Sequence, residues 1–267
     1  MIDEELQAQL REKYNPDGSP LRVHQLKMLD MLEYFDTLCK ANNIKYWLSS
    51  GTCLGAIRHG GFIPWDDDID IEMLRDDYIK LEKVFLETNE YVLQTWKNDK
   101  YYCLPFAKMR DKSTVIYNSL FKYKGVFIDI LVLERTPKIL SQIAYFCRRI
   151  LWKSYCIVKH RNKYSMLFFL LKFLLFYLLI PVCRLLSKMF SNLEGNVYRH
   201  SLGTGWIDNI RIIDEILPTI NVTFEGIKFP VPQNYDKYLS RMYGDYMKIP
   251  EESNMEISHV EFFVNSL

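Results

Sequence analysis

The segment that most constrains the fold is YWLSSGTCLGAIRHGGFIPWDDDIDIEM, residues 46–73, in which four aspartates follow an apolar, glycine-rich stretch. From Asp68 to Ile71 polar and apolar side chains alternate, which is the two-residue period of a β-strand. We therefore expect Asp68 and Asp70 on one face of a strand, about 7 Å apart. Two carboxylates at this spacing suit a hard divalent cation, which takes oxygen ligands. A strand whose polar face is merely solvated is the alternative.

A Ser-Gly-Thr turn precedes the aspartates and is a candidate phosphate site. Residues 44–49 are typical of a strand that leads into Gly51 and Thr52, and Thr52 is predicted to cap a short helix at 53–58. The free N–H groups at the start of such a helix attract anions. An ordinary strand-to-helix turn is the alternative interpretation.

Four basic or imidazole side chains are candidate partners for a phosphate. Arg58 suits a phosphate oxygen or one of the aspartates. His59 is interpreted as a structural or substrate-positioning residue rather than a base. Lys108 and Arg110 share one face of a strand predicted at 104–111, where they would bind phosphate or balance the charge of the aspartates.

Asp129 interrupts the most strand-like segment of the chain, GVFIDILVLE at 125–134. Burying an unpaired carboxylate is costly, so a partner is expected. We predict a cation shared with Asp68 and Asp70, with a salt bridge to a basic residue as the alternative.

The formal net charge of +1 hides a strong segregation of charge. Residues 138–193 contain ten Lys and Arg and no Asp or Glu, so the rest of the chain has a net charge of −9. The apolar centre at 166–183 approaches the roughly twenty residues that span a bilayer, but Lys172 lies in its middle and Pro181 near its end. A charge at mid-bilayer is costly.

We therefore predict that residues 138–193 form helices that lie on the cytoplasmic leaflet, with Lys and Arg reaching anionic lipid headgroups. A transmembrane helix and a buried core helix are the alternatives. The many Leu and Phe side chains argue against a nucleic-acid surface.

The remaining patterns predict the other elements of a globular domain. Helices are expected at 3–13, 21–41, 75–88 and 234–250, the last ending near Gly244; strands are expected at 91–96 and 104–111, a loop at 203–206, and a hairpin or a strand and loop at 223–232. The six cysteines form no C-x-x-C pair, which excludes a zinc ribbon or a redox pair of that type. The acidic N-terminus lacks the form of a signal peptide, so free thiols in a reducing cytoplasm are expected.

The stretch 46–73 resembles the LicD family of phosphocholine transferases. The resemblance continues through AKMRDKST at 107–114, VFIDI at 126–130 and FEGIKFPVPQNYDKYLSRMYGDYM at 224–247. It implies an α+β fold with a nucleotidyltransferase-like mixed sheet flanked by helices. The basic, apolar helical insertion is not part of the resemblance.

Three regions follow from this reading. Residues 1–137 would form the nucleotidyltransferase-like catalytic core, and 138–193 the membrane-associating insertion. Residues 194–267 would complete the catalytic domain on its acceptor side.

The resemblance also implies an activity and its residues. Phosphocholine would pass from CDP-choline to a sugar hydroxyl of a lipid-linked teichoic acid or lipopolysaccharide precursor, with release of CMP. Asp68, Asp70 and Asp129 would be catalytic and would bind Mg²⁺ or Mn²⁺, with Asp129 also the candidate for taking the acceptor proton. The expected substrate-binding residues are Gly51, Thr52, Arg58, His59, Trp65, Asp66, Lys108 and Arg110, with Asp67 in a supporting role.

The quaternary ammonium of choline would need an aromatic cage, because no hydrogen bond can hold it. The candidates are Tyr46, Trp65, Trp96, Tyr101 and Tyr102. The partners would be cytosolic CDP-choline, a lipid-linked glycan acceptor and, through 138–193, the membrane surface, with no nucleic acid. The protein would be peripheral or monotopic on the inner face of the cell membrane.

Three other functions remain open on the sequence. The first is a nucleotidyltransferase acting on a sugar or small molecule, and the second is a transferase of ribitol or glycerol phosphate. The third is a non-catalytic membrane adaptor that keeps the fold without the chemistry.

Overall fold

The structure, a computed structural model, describes residues 2–85, 87–116, 119–161, 165–190 and 195–252. Its helices are α1 (Glu4–Tyr14), α2 (Pro20–Ala41), α3 (Ser50–Arg58), α4 (Arg75–Val84), α5 (Lys138–Arg161), α6 (Ser165–Phe173), α7 (Ile180–Phe190), α8 (Ile213–Ile216) and α9 (Tyr235–Tyr243). Its strands are β1 (Trp47–Leu48), β2 (Asp70–Leu74), β3 (Tyr91–Gln94), β4 (Ala107–Asp111), β5 (Phe127–Glu134), β6 (Val197–His200), β7 (Arg211–Ile212), β8 (Ile220–Phe224) and β9 (Ile227–Val231). The residues outside this description are 1, 86 and 117–118 of the predicted catalytic core, 162–164 and 191–193 of the predicted insertion, and 194 and 253–267 of the predicted C-terminal region.

The centre of the fold is a mixed sheet in the order β1-β2-β5-β4-β3, with β6 on the far end of β5 and β7 on β6. β2 and β5 are parallel, and the other pairs are antiparallel. The register places Asp70 beside Asp129 and Asp129 beside Lys108. Together with the flanking helices, this confirms the predicted α+β fold with a mixed sheet.

The longest N-terminal helix, α2, supplies much of the packing on this sheet. Ser19 caps it by accepting a hydrogen bond from the backbone N–H of Arg22, and Pro20 occupies the first turn, where its missing N–H is tolerated. Met28 and Phe35 then join Ile71 and Ile130 in the main apolar core. The helix predicted at 21–41 is confirmed.

Two predicted boundaries near the aspartates are wrong. α3 begins at Ser50 with Ser49 as its N-cap residue, so Thr52 lies inside the helix and does not cap it. The Thr52 hydroxyl instead accepts a hydrogen bond from the backbone N–H of Asp70 at 2.8 Å. β2 begins only at Asp70, so Asp68 lies in the segment that precedes the strand.

A hairpin formed by β8 and β9 brings the C-terminal region against the predicted catalytic core. At its tip, Glu225 accepts hydrogen bonds from Arg22 at 2.6 Å and from the backbone N–H of Phe62 at 3.1 Å. A Cβ at Gly61 would overlap the Glu225 side chain, so this approach requires a glycine. The motif at 224–247 therefore packs directly on the loop that leads into the aspartates.

α5, α6 and α7 form a second apolar cluster beside the sheet. α6 continues through a π-helical turn, Leu174–Leu179, into α7. Phe168, Leu175 and Ile180 on this helix pack with Tyr102 and Leu202 of the sheet domain. The prediction that this segment is helical is confirmed over the described residues.

Candidate active site

A cavity of about 600 Å³ opens where the aspartate segment meets the C-terminal part of the chain. One wall carries Gly51, Asp66, Asp68 and Asp70. The facing residues are contributed by β6, the loop after it, and the segment at the end of α9: His200, Trp206, Asn209, Tyr243, Asp245 and Lys248. A cavity of this size is typical of small-molecule and cofactor sites.

The aspartates of this wall carry negative charges that the protein compensates only in part. Burial and repulsion from Asp129 and Asp67 raise the pKa of Asp68 to about 6. Burial and repulsion from Asp68 and Asp129 raise the pKa of Asp70 well above its usual range. The pKa of Asp66 is raised in the same way, by burial and by Asp68 and Asp67. A positively charged ligand would relieve this repulsion.

Asp129 has a cationic partner supplied by the neighbouring strand. Its carboxylate lies 2.5 Å from the ammonium of Lys108, and the Lys108 ammonium also lies 3.4 Å from the centre of the Phe127 ring. Burial lowers the pKa of Lys108, although Asp129 opposes this. The salt bridge that the sequence left open for Asp129 is therefore present, alongside the predicted proximity to Asp70.

The oxygen donors of Asp68, Asp70 and Asp129 are of the type that Mg²⁺ and Mn²⁺ prefer. Asp129 lies beside Asp70 in the sheet, and its charge helps to raise the pKa values of Asp68 and Asp70, so these three carboxylates lie close together. As they stand, however, the described residues contain no group of three or more acidic, imidazole or thiol side chains placed to hold a metal ion. The donor chemistry fits a divalent cation.

The predicted phosphate turn lies directly beside this wall. A Cβ at Gly51 would come within 2.9 Å of Asp66 Oδ2, so the first turn of α3 lies in contact with the aspartates. Thr52 is buried and ties α3 to β2 through its bond to Asp70. The first turn of α3 and the aspartates are therefore held as one unit.

Arg58 and Trp65 lie at the cavity, and His59 lies behind it. Arg58 donates to His59 Nε2 at 2.9 Å and to the carbonyl oxygens of Tyr246 and Lys248, so it also fixes the C-terminal segment against the cavity. His59 bonds to Gln7 at 2.6 Å, and burial, with Arg58 beside it, lowers its pKa to about 3. These contacts make His59 a neutral packing residue.

Arg110 lies deeper than its neighbour Lys108. Its guanidinium donates to Gln94 at 2.7 Å and to the carbonyl oxygen of Gly125 at 2.6 Å, and it stacks on Phe127. The two basic side chains predicted on one face of β4 are both buried. Lys108 reaches the carboxylate of Asp129.

Glu72, two residues beyond Asp70 on β2, is fully buried and holds this part of the site together. It accepts hydrogen bonds from Trp47, His200, Arg211 and Tyr238 at 2.8–3.2 Å. Burial opposes its ionisation, but Arg211 and His200 lower its pKa to about 2. Its role was not predicted from the sequence, although the alternation along β2 places Asp70 and Glu72 on the same face.

The facing wall was also missed, although part of it lies in the recognised motif at 224–247. Tyr243 in that motif is close enough to the aspartates that burial, Asp70 and Asp66 raise its pKa. His200, Trp206 and Asn209 come from a segment with no recognisable motif. Only the pairing of β6 with β5 and β7 brings them to the cavity.

The five aromatic residues predicted as a choline cage do not form one group. Tyr46 packs in the main core and bonds to Asp36, whereas Trp96, Tyr101 and Tyr102 pack in the second apolar cluster. Trp65 lines the cavity. The other aromatic side chains there are Trp206, Tyr243 and Tyr246.

Comparison with known proteins assigns the chain to a family. The model of the LicD/FKTN/FKRP nucleotidyltransferase domain matches residues 43–155. The chain is similar to the lipopolysaccharide cholinephosphotransferase LicD of Haemophilus influenzae, with 32% identity over 265 residues that cover 90% of this chain and 96% of that protein. The chain belongs to the LicD family.

Other relatives match this chain over shorter stretches. The human ribitol 5-phosphate transferase FKRP is 39% identical over 51 residues, 19% of this chain and 10% of that protein. The mouse ribitol-5-phosphate transferase FKTN is 31% identical over 74 residues, 28% of this chain and 16% of that protein. Membership of the LicD family makes the chain a transferase of phosphorus-containing groups.

Proposed function

We propose that the chain transfers phosphocholine from CDP-choline to a sugar hydroxyl of a lipid-linked surface glycan precursor and releases CMP. The observation that carries the choline assignment is the extent of similarity. The match to the cholinephosphotransferase spans nearly both proteins, whereas each match to a ribitol phosphate transferase covers less than a third of this chain. The cavity also combines carboxylates with Trp65, Trp206 and Tyr243, which suits a quaternary ammonium.

In this proposal the diphosphate of the donor lies against Gly51 and the aspartates. Asp68 and Asp70, with Asp129, would hold a divalent cation, which would neutralise charge on the phosphates when bound. Lys108 is placed to balance Asp129, and Arg58 to hold the segment that closes the cavity. These residues orient the donor so that its phosphorus faces the acceptor.

The transfer itself is a displacement at the phosphorus that bears choline. The acceptor oxygen forms a bond to that phosphorus, the bond to the CMP oxygen breaks, and the acceptor proton passes to a carboxylate, for which Asp129 is the candidate. Choline remains attached to the transferred phosphate throughout.

Product analysis tests this proposal. Purified protein, Mg²⁺, CDP-choline and a lipopolysaccharide acceptor should release CMP and label the acceptor with phosphocholine. Faster release of CMP from CDP-ribitol or CDP-glycerol would replace choline by another phospho-alcohol. Release of pyrophosphate from CTP or ATP would instead indicate a nucleotidyltransferase and overturn the proposal.

We also propose that α5, α6 and α7 attach the protein to the membrane surface without crossing it. One helix in the described part of the chain, Ser165–Phe190, is long and apolar enough to span a bilayer, and only 33% of its most apolar window is buried. Its outward side chains include Met166, Leu170 and Leu185, each more than half exposed. So large an apolar surface needs a partner.

The inner face of this long helix is fixed to the sheet domain along its length. Near its start the Lys172 ammonium donates to the carbonyl oxygens of Asp99 and Lys100, both at 2.8 Å. In its middle Phe176 stacks on Trp96, with ring centres 4.8 Å apart. Near its end Arg184 binds Glu134 at 2.9 Å. Crossing a bilayer would break these contacts, which favours a helix lying in the interface.

Vesicle binding tests the attachment. The protein should sediment with vesicles that contain anionic lipid, and Leu170→Glu should weaken binding about tenfold, because it places a charge in the apolar face. Ile79→Glu, at a similarly exposed apolar position on α4, is the matched control and should bind normally. Equal binding by the two variants, or none by the unaltered protein, would contradict the attachment.

A further inference from the structure

The imidazole of His200 is held by one nitrogen only. Its Nε2 lies 2.9 Å from Oε1 of Glu72, inside the buried group formed with Arg211, Trp47 and Tyr238. Among the residues that the structure describes, none hydrogen-bonds the other nitrogen, Nδ1, although the side chain is almost fully buried. A buried polar atom without a partner is uncommon and requires an explanation.

Glu72 determines which nitrogen carries the proton. Its Oε1 accepts a hydrogen bond from the guanidinium of Arg211 at 2.8 Å and its Oε2 one from the indole N–H of Trp47 at 3.0 Å; both partners can only donate, so the Glu72 oxygens act as acceptors. Nε2 must therefore donate its proton to Glu72. Burial lowers the pKa of His200, so the ring is neutral and Nδ1 has a free lone pair.

His200 lines the same cavity as the aspartates, one step further along the sheet. Glu72 follows Asp70 by two residues on β2, which is about 7 Å along a strand, and the two share a face. The ring also lies against Trp206, which forms the rim of the cavity with its indole half exposed. A ligand whose phosphate lay at the aspartates could therefore extend towards His200.

The lone pair on Nδ1 of His200 determines which chemical groups of a ligand can bind there. Nδ1 can only accept, so its partner must donate a proton, as a hydroxyl does. The oxygens of an ionised phosphodiester have no proton to donate, and neither does the quaternary ammonium of choline. The groups in the proposed reaction that can donate are the hydroxyls of the acceptor sugar and, on the donor, the ribose hydroxyls and the cytosine amine. Binding of CDP-choline by a His200 variant separates the two, because it stays unchanged only where the partner is the acceptor.

We infer that His200 is an acceptor-binding residue, whose Nδ1 accepts a hydrogen bond from a sugar hydroxyl next to the one that attacks phosphorus. This inference rests on the proposed function and assigns the acceptor to the His200 side of the cavity. Glu72 acts through His200 as a positioning residue, because it fixes the tautomer and the orientation of the ring.

Two substitutions separate acceptor binding from a structural role. His200→Gln keeps a donor near the Nε2 position, and so the bond to Glu72, but it has no acceptor at the Nδ1 position. His200→Asn keeps a polar atom near Nδ1 but cannot reach Glu72. Each variant is assayed with Mg²⁺, CDP-choline and a panel of p-nitrophenyl hexosides, together with calorimetric binding of CDP-choline and thermal unfolding.

The inference predicts that His200→Gln unfolds like the unaltered protein and binds CDP-choline equally, while its KM for the hexoside rises about tenfold, as expected for one lost hydrogen bond. One monodeoxy hexoside should show the same rise with the unaltered protein and none with His200→Gln. His200→Asn should be less stable but should keep more acceptor binding. An unchanged KM in His200→Gln would overturn the inference.

A measurement on the unaltered protein covers the case in which neither variant folds or CDP-choline is not the donor. The chain has five histidines, so their ring nitrogens can be followed by ¹⁵N NMR. Adding a p-nitrophenyl hexoside without donor should shift one unprotonated Nδ1 signal in the direction of hydrogen bonding. No shift with any hexoside would contradict the inference. Failure of the proposed function would appear separately, as absence of CMP release by the unaltered protein.

Discussion

Asp70 and Glu72 are two carboxylates on one face of one strand, and the protein treats them in opposite ways. Glu72 receives hydrogen bonds from four side chains, and Arg211 and His200 lower its pKa to about 2. Asp70 lies among other carboxylates that raise its pKa, and the nearby Lys108 is paired with Asp129. A shared face of one strand therefore does not determine whether a carboxylate is compensated.

The two carboxylates differ in the partner side chains that the rest of the fold supplies to them. The partners of Glu72 come from β1, β6, β7 and α9, so its carboxylate links the N-terminal and C-terminal parts of the chain. The charges at Asp68 and Asp70 gain little from the fold, and unrelieved repulsion among buried carboxylates is typical of functional sites. One carboxylate stabilises the structure, and the others are expected to act on a ligand.

The largest expected effect is on catalysis. Asp70→Asn removes a carboxylate that we assign to the phosphates and cation, so the rate of CMP release should fall by about a thousandfold or more. Thermal unfolding should be unchanged or should move to higher temperature, because a repulsive charge is lost. Asp30→Asn, on the exposed face of α2, is the control and should keep full activity. A folded Asp70→Asn protein with normal activity would support the non-catalytic adaptor.

For Glu72→Gln we expect the main effect on the stability of the fold and not on catalysis. It leaves the guanidinium of Arg211 buried without its counter-charge, and breaking a buried pair in this way typically costs about 3–5 kcal/mol. The free energy of unfolding, measured in urea, should fall by about this amount. Glu87→Gln, which removes a surface pair with Lys112, should change it by less than about 1 kcal/mol. Equal effects of the two substitutions would remove the distinction between Glu72 and Asp70.

A divalent cation should stabilise the folded protein through Asp68 and Asp70, whose charges the fold leaves uncompensated, and not through Glu72. At a concentration one hundred times its dissociation constant, a ligand of the folded state adds about 2.7 kcal/mol. Mg²⁺ or Mn²⁺ added after treatment with EDTA should therefore raise the unfolding temperature by several degrees. The rise should be absent in Asp68→Asn and Asp70→Asn and preserved in Asp30→Asn. A rise of the same size in all four proteins would indicate binding elsewhere.

The sequence was most informative where a local pattern decides the structure. The two-residue alternation that begins at Asp68 predicted the strand that carries Asp70, and the pattern at 21–41 predicted the helix α2. The position of Asp129 beside Asp70 followed from one unexpected acid in an apolar strand together with the family resemblance. These features depend on neighbouring residues or on a recognisable motif.

The sequence was least informative where distant segments meet. Nothing near Glu72 in the sequence indicates that Arg211 and His200 bind it, because their approach depends on the pairing of β6 and β7 with the sheet. The role of Thr52 was misjudged for the same reason, since its hydroxyl bonds across to Asp70 rather than to its own helix. The partner of Lys172 is likewise a pair of backbone carbonyls more than seventy residues earlier.

The smallest expected effect comes from a second compensated carboxylate, Glu134, which lies away from the cavity. It binds Arg75 and Arg184; burial opposes its ionisation, but the two guanidinium groups lower its pKa to about 2. A lowered folded-state pKa stabilises the protein above the unfolded-state value of about 4.5, and this contribution is lost as the pH falls towards 2. Glu134→Gln should therefore reduce the free energy of unfolding by about 2 kcal/mol at pH 7.

The difference between Glu134→Gln and the unaltered protein should shrink steadily between about pH 4.5 and pH 2. Urea unfolding at several pH values measures it. Because Arg184 belongs to α7, the substitution should also loosen that helix, which hydrogen exchange of its amides would report. A difference independent of pH would mean that Glu134 contributes through packing and not through its charge, and the likeness between Glu134 and Glu72 would then fail.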